Sequence, residues 1–97
     1  MIYGAIFGKD LNAAQERLRK LEEDYSLMDI TITSRTRNAT IFGNGDKWVA
    51  CKYDSLMARS YYRYNIIYID HRIPDEFAYW QIKGCLGRPP FSAFNYF

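Results

Sequence analysis

Leu11, Ala14, Leu18, Leu21 and Tyr25 recur in steps of three and four along "LNAAQERLRKLEEDY". That spacing puts all five on one face of a helix, and the opposite face is charged. A helix with one apolar stripe has to bury it against another layer. Asp10 stands where an N-cap accepts from a free amide one turn on. On the charged face, Glu16 with Lys20 and Arg19 with Glu23 are spaced to pair at i,i+4. That face reads as solvated surface, with a partner surface as the alternative.

The sheet is readable on both sides of this helix. "MIYGAIFG" is an apolar strand in which Gly4 and Gly8 mark a close backbone approach and a turn. "DITITSRTR" alternates Ile30 and Ile32 with threonines, as a half-buried strand does, and "NATIF" continues as a second strand. "GNGD" supports a hairpin turn with Asn44 and Gly45 both at positive φ, and "KWVACKY" returns. "DSLMARSYYRY" reads as either a short helix or a loop. "NIIYID" is apolar throughout, as a strand buried on both faces is. Pro74 suits the first turn of a further helix, which turns Phe77, Trp80 and Ile82 toward the core. "RPPFSAFNYF" cannot be regular helix and reads as an aromatic tail docked on its own domain or on a partner.

The chain has 97 residues, enough for one core. Residues 1–88 form a single α/β domain in this reading and residues 89–97 the tail. The expected fold is a small mixed sheet of four to five strands with two to three helices. An α+β ferredoxin-like sandwich, of βαββαβ order, is the alternative if "SLMARSYY" is helical. Cys51 and Cys85 lack paired-ligand spacing, and with one histidine they cannot complete a structural zinc site, so they read as buried thiols. No cofactor is expected. "MIYGAIFGKD" lacks a basic start and no apolar run approaches a membrane span, so a cytoplasmic protein without membrane contact is expected.

The order of these parts resembles the middle of the P-loop ATPase core of phage terminase large subunits and related helicases. The parts that carry the resemblance are "MIYGAIFGKDLNAAQERLRKLEE", "TIFGNGDKW", "ARSYYRYN" and "IIYIDH", over residues 1 to about 83. The resemblance implies that Asp70 stands where a Walker B acid would hold magnesium. The departures are large. No G-x-x-x-x-G-K-[ST] loop occurs, so no amide cradle or lysine meets the β- and γ-phosphates. His71 occupies the position of the family's water-orienting glutamate, and Ser60 replaces a glycine of the arginine segment. Phosphoryl transfer needs those parts together, so no hydrolysis by this chain alone is expected. Asp70 is then a weak metal candidate, and the plain reading is a strand-ending acid that bonds the next segment. His71, beside Asp70 and Asp75, could act as a base or ligand but reads more simply as a hydrogen-bonded loop residue.

Aromatic residues make up 18% of the chain, mostly nine tyrosines and six phenylalanines. Tyrosine pairs an apolar ring with a polar tip and suits contact surfaces. The expected function is a small non-catalytic module, phage-encoded in the sense the resemblance implies, that acts as inhibitor, decoy or accessory factor on a larger protein. Its contact residues would be Tyr61, Tyr62, Tyr64, Phe91, Phe94, Tyr96 and Phe97. A missing phosphate-loop strand would also leave a sheet edge that a homodimer or hetero-complex covers. The alternative is a single-stranded nucleic-acid binder using Arg35, Arg37, Lys47, Trp48, Lys52, Arg59 and Arg63, with cations on phosphates and rings on bases. A net charge of +2 permits a local basic patch without demanding one.

Overall fold

The computed structural model describes residues 1–55, 63–77, 82–86 and 93–97. The elements in chain order are β1 (Tyr3–Gly8), α1 (Leu11–Leu27), β2 (Ile32–Arg35), β3 (Ala39–Phe42), β4 (Lys47–Lys52), β5 (Ile66–Ile69), a helical turn α2 (Asp75–Phe77), a 3₁₀ turn (Lys83–Cys85) and β6 (Ala93–Tyr96). They make a mixed α/β domain around one sheet of order β2-β3-β4-β1-β5-β6. Strands β4, β1, β5 and β6 run parallel, and β3 and β2 complete the sheet antiparallel.

The sheet has six strands rather than four to five. The sixth comes from the segment read as a docked tail, because Ala93–Tyr96 pairs in parallel with Ile66–Ile69. Without it the main-chain groups on the outer side of β5 would lack this ladder. Four parallel strands in a row also differ from the four-stranded βαββαβ sandwich held as the alternative.

Strand alternation sends side chains into two cores. Ile6, Trp48 and Ala50 face α1, where Ala14, Leu18, Leu21 and Tyr25 are buried. Ala5, Phe7, Val49, Cys51, Ile67 and Ile69 face the other way and meet Tyr64, Ile73, Ile82 and Cys85. The central strands are thus covered on both faces, which is why their sequences read as continuous apolar runs. Leu11, assigned to the buried stripe, is exposed in the first turn of the helix.

Local chemistry sets the helix ends. The Asp10 side chain accepts from the Ala13 amide at 2.8 Å. At the far end Asp29 adopts φ +60° while its amide and that of Ile30 donate to Ser26 O and Tyr25 O, both at 3.0 Å. This is the left-handed residue after a helix that glycine usually supplies. The expected i,i+4 pair from Arg19 to Glu23 is replaced by an i,i+3 pair from Arg19 to Glu22 at 2.7 Å. Glu22 also accepts from Arg35 Nε at 3.1 Å and Thr40 Oγ1 at 2.7 Å, so it ties the helix to the β2–β3 hairpin. Burial opposes its charge, but the bonds from Thr40 and Arg19 outweigh that and lower its pKa.

In the β3–β4 turn Gly45 has φ +93°, and Asn44 does not share the positive φ expected of it. Gly45 N bonds Phe42 O at 2.9 Å and Phe42 N bonds Asp46 O at 2.8 Å, the pattern of a three-residue loop closed by a left-handed glycine. Ile32, expected to be buried, is 42% exposed because β2 is the outermost strand and nothing packs over it among the described residues.

Gly8 is required where β1 turns into α1. A Cβ there would collide with Asp10 O and sit 2.7 Å from Ala14 N, both main-chain atoms that cannot step aside. Gly8→Ala should therefore cost about 2–4 kcal/mol in urea unfolding, at the high end for single substitutions. Gly84→Ala meets nothing within 4 Å and should stay within about 0.5 kcal/mol of the parent. Equal effects at the two glycines would refute the crowding at the β1–α1 turn.

Candidate functional site

The carboxyl ends of β1 and β5 meet at one edge of the sheet, which is where open parallel sheets place ligands. Asp70 stands there, 1% exposed. Its carboxylate accepts from Lys9 N at 3.0 Å, from Arg72 N at 3.0 Å, and from Arg72 Nε and Nη2 at 3.0 and 2.6 Å. Its oxygens are therefore engaged by the end of β1 and by the loop that follows β5. The Arg72 hydrogen bonds come first among the causes that hold its pKa well below the usual carboxylate range, against the opposing pull of burial. Asp70 thus ties the end of β1 to the loop after β5. No group of three or more histidine, cysteine or acidic side chains placed to hold a metal occurs among the described residues.

His71 is turned outward. Its Nδ1 lies 2.8 Å from Phe97 O, and its main-chain N–H donates to the same oxygen at 2.9 Å. A carbonyl can only accept, so the bond places the ring proton on Nδ1. His71 therefore fastens the end of β6 to the β5 loop. Arg72 offers its Nε and Nη2 edge to Asp70, and Nη1 points away from that carboxylate.

Beside this loop the second and third turns of α1 wall an open cleft of about 340 Å³. Arg17, Lys20 and Arg72 line it, with Glu16 and Phe97. The Arg17 guanidinium lies 4.7 Å from the centre of the Tyr68 ring. Neither Arg17 nor Lys20 has a carboxylate partner among the described residues. The expected Glu16–Lys20 pair does not form, and Glu16 accepts instead from Asn12 Nδ2 at 3.1 Å.

At the amino ends of the strands a second buried network was not legible in the sequence. Asp46 accepts from Ile2 N at 2.8 Å and from Tyr25 Oη at 2.7 Å, and Tyr25 Oη accepts from Trp48 Nε1 at 3.0 Å. Burial and the Asp46 bond push the Tyr25 hydroxyl up to about 12. Burial opposes the Asp46 charge, yet the Ile2, Tyr25 and Asn44 donors keep its pKa lowered. Ile2 and Tyr25 lie more than twenty positions from Asp46, so no local motif announces the network.

The expected contact residues are described only in part. Tyr61, Tyr62, Phe91 and Arg59 lie outside the described residues. Tyr64 is fully buried against Tyr3 and Phe7, which corrects its place on a contact surface. Phe94 and Phe97 are half-buried against the two cores, and Tyr96 is 52% exposed on the outermost strand β6. Trp48, expected as a stacking ring, is 1% exposed, because its ring lies over Gly4 of the neighbouring strand. Among the cations, Arg35 is engaged by Glu22, Lys52 lies 3.7 Å from Asp54, and Arg63 donates to Gly84 O at 3.3 Å. Arg37 is exposed in the β2–β3 turn. Lys47 and Lys52 end the same strand five residues apart, or about 17 Å at roughly 3.3 Å per residue. Cys51 and Cys85 are buried, and burial pushes both thiols up, Cys51 to about 12.

The other exposed feature is apolar. Leu27 and Met28 end α1 at 85% and 58% exposure, and Ile32 follows on β2. A groove of about 350 Å³ is lined by Glu22 and Ser26 of α1 and by Asp29, Ile30, Thr31 and Ile32. No helix among the described residues is long and apolar enough to cross a membrane.

The three lowered carboxylates make stability fall in acid. Each binds protons more weakly when folded, so its contribution is complete above its unfolded pKa near 4 and drains away as pH drops below it. Asp70→Asn should cost about 1–3 kcal/mol at neutral pH and flatten the loss between neutral pH and acid. A variant that keeps the parent's acid slope would remove Asp70 from that linkage. Tyr25→Phe should cost a similar ~1–3 kcal/mol, because it strips partners from Asp46 and Trp48 together.

Scanned against protein-family models the sequence matches none, and a search of curated proteins finds no match. What the chain does has to be argued from its own geometry.

Proposed function

We propose that this chain is a non-catalytic protein-binding module that accepts an extended segment of a larger partner along strand β2. The observation that carries the reading is the exposure of all four residues of this outermost strand, the apolar Ile32 among them. An outermost strand presents main-chain donors and acceptors on its free side, and a partner strand can satisfy them while side-chain pockets add selectivity. The groove between the end of α1 and β2 supplies such a pocket, with Ile32 and Ile30 as its apolar wall. The role is that of an accessory factor or inhibitor acting on the partner.

Two further observations support the binding role over the alternatives. Asp70 spends its oxygens on Lys9 and Arg72, which suits a structural acid better than a magnesium ligand. Of the described cations of the nucleic-acid reading, Arg35, Lys52 and Arg63 are engaged within the domain, and its tryptophan is buried. Tyr96, on the opposite outermost strand, is the rival docking position.

A photo-crosslinking residue placed at Ile32 should trap one discrete protein adduct in the producing cell, unchanged by nuclease. Ile32→Glu should abolish partner capture and shift stability by no more than about 0.5 kcal/mol, as exposed sites do. Adducts at Tyr96 and none at Ile32 would move the docking edge to β6. Loss of every adduct on nuclease treatment would replace the protein partner with nucleic acid.

A further inference from the structure

We infer that the cleft between α1 and the loop after β5 is a binding site for a small phosphorylated molecule, held by Arg17, Lys20 and Arg72. The site is separate from the β2 edge. It lies where the carboxyl ends of parallel strands leave a crevice, the usual ligand position in open α/β sheets.

Three cations converge on one depression from two different elements. Arg72 is held in place by its bonds to Asp70, so its remaining N–H groups are oriented before any ligand arrives. Asp70 cancels much of the Arg72 charge, but Arg17 and Lys20 are not cancelled in the same way. Neither has a carboxylate partner, although Glu16 is one residue from Arg17 and four from Lys20. Arg17 is steadied by the face of Tyr68 instead of by an acid. The opposing charges are Asp70, Asp10 and Glu16, all three felt by Arg72. The first is engaged by Arg72, the second caps the helix and the third is bonded to Asn12, so none is paired with Arg17 or Lys20.

The chemistry favours phosphate over carboxylate. A carboxylate carries one charge and is satisfied by one planar guanidinium fork. A phosphate monoester carries nearly two charges and offers oxygens in several directions, which suits donors arriving from two elements. The cleft volume of about 340 Å³ is at the lower end of the small-ligand range. A nucleic-acid strand would need cations spaced along a track, and Lys47 and Lys52 stand at opposite ends of β4. Phe97 and Ala13 supply an apolar wall for whatever the phosphate is attached to.

The test is a ¹⁵N NMR titration of the whole chain with pyrophosphate, using succinate and a single-stranded oligonucleotide as the comparison arms. Pyrophosphate should shift the amides of Ala13, His71 and Arg72 saturably, and succinate should bind at least about tenfold more weakly. Arg17→Gln and Lys20→Gln should each weaken pyrophosphate by roughly tenfold, the loss of one charge-assisted contact, with unchanged thermal unfolding. Lys20 is exposed, whereas Arg17 is half-buried on the Tyr68 ring, so Lys20→Gln is the variant that decides the test should Arg17→Gln lower the unfolding temperature. Non-saturating shifts, shifts spread over unrelated lysines, or unchanged affinity in both variants would overturn the site. Tighter binding of the oligonucleotide at the same amides, falling steeply with salt, would overturn the small ligand in favour of nucleic acid.

Discussion

Two buried carboxylates hold the two ends of the central strand. At the amino end Asp46 accepts from Ile2 N, and at the carboxyl end Asp70 accepts from Lys9 N. A buried main-chain amide without a partner costs about 1–3 kcal/mol, and both donors lie just beyond the residues that the parallel ladders of β1 serve. Each carboxylate also recruits a side chain from elsewhere. Asp46 draws in Tyr25 of α1, which holds Trp48 of β4. Asp70 draws in Arg72 and so shapes the loop beside the cleft. The helix, the hairpin and the loop after β5 are placed by acids that serve β1 first.

The distribution of charge on α1 follows from the same economy of partners. Glu22 is held by Arg19, Arg35 and Thr40 on the hairpin side. That concentrates one side of the helix into a structural tie. On the other side Arg17 and Lys20 face the cleft without an acid of their own. The helix therefore has a structural flank and an available flank. The exposed β2 edge belongs to the hairpin that Glu22 ties to the helix through Arg35 and Thr40.

Much of this was legible in the residues. The 3.6-residue spacing of Ala14, Leu18, Leu21 and Tyr25 named the buried face of α1, and Asp10 named its start. Gly45 named the hairpin turn. Local patterns reach a few residues, and these features live within that range. Ile32 was misjudged because alternation reports a strand but not whether anything lies over it. Tyr64, a contact residue by sequence, and Trp48, a stacking ring only in the alternative reading, are both core, because an aromatic ring reads the same on a core face and on a contact face until its neighbours are known. Ala93–Tyr96 was read as a tail because strand pairing at distance leaves no mark in four residues.

The sequence by itself determined the helix, its cap, the hairpin turn, the two buried thiols and an acid at the end of β5. Each follows from chemistry among near neighbours. The tertiary structure decided which strand lies at the edge, which rings are buried, and which cations keep a free charge. It brought Tyr25 to Asp46 and Trp48, 21 and 23 positions away, and set Lys20 and Arg72, 52 positions apart, on one cleft. Those meetings depend on sheet order and on how the helix crosses it, and no local preference encodes either.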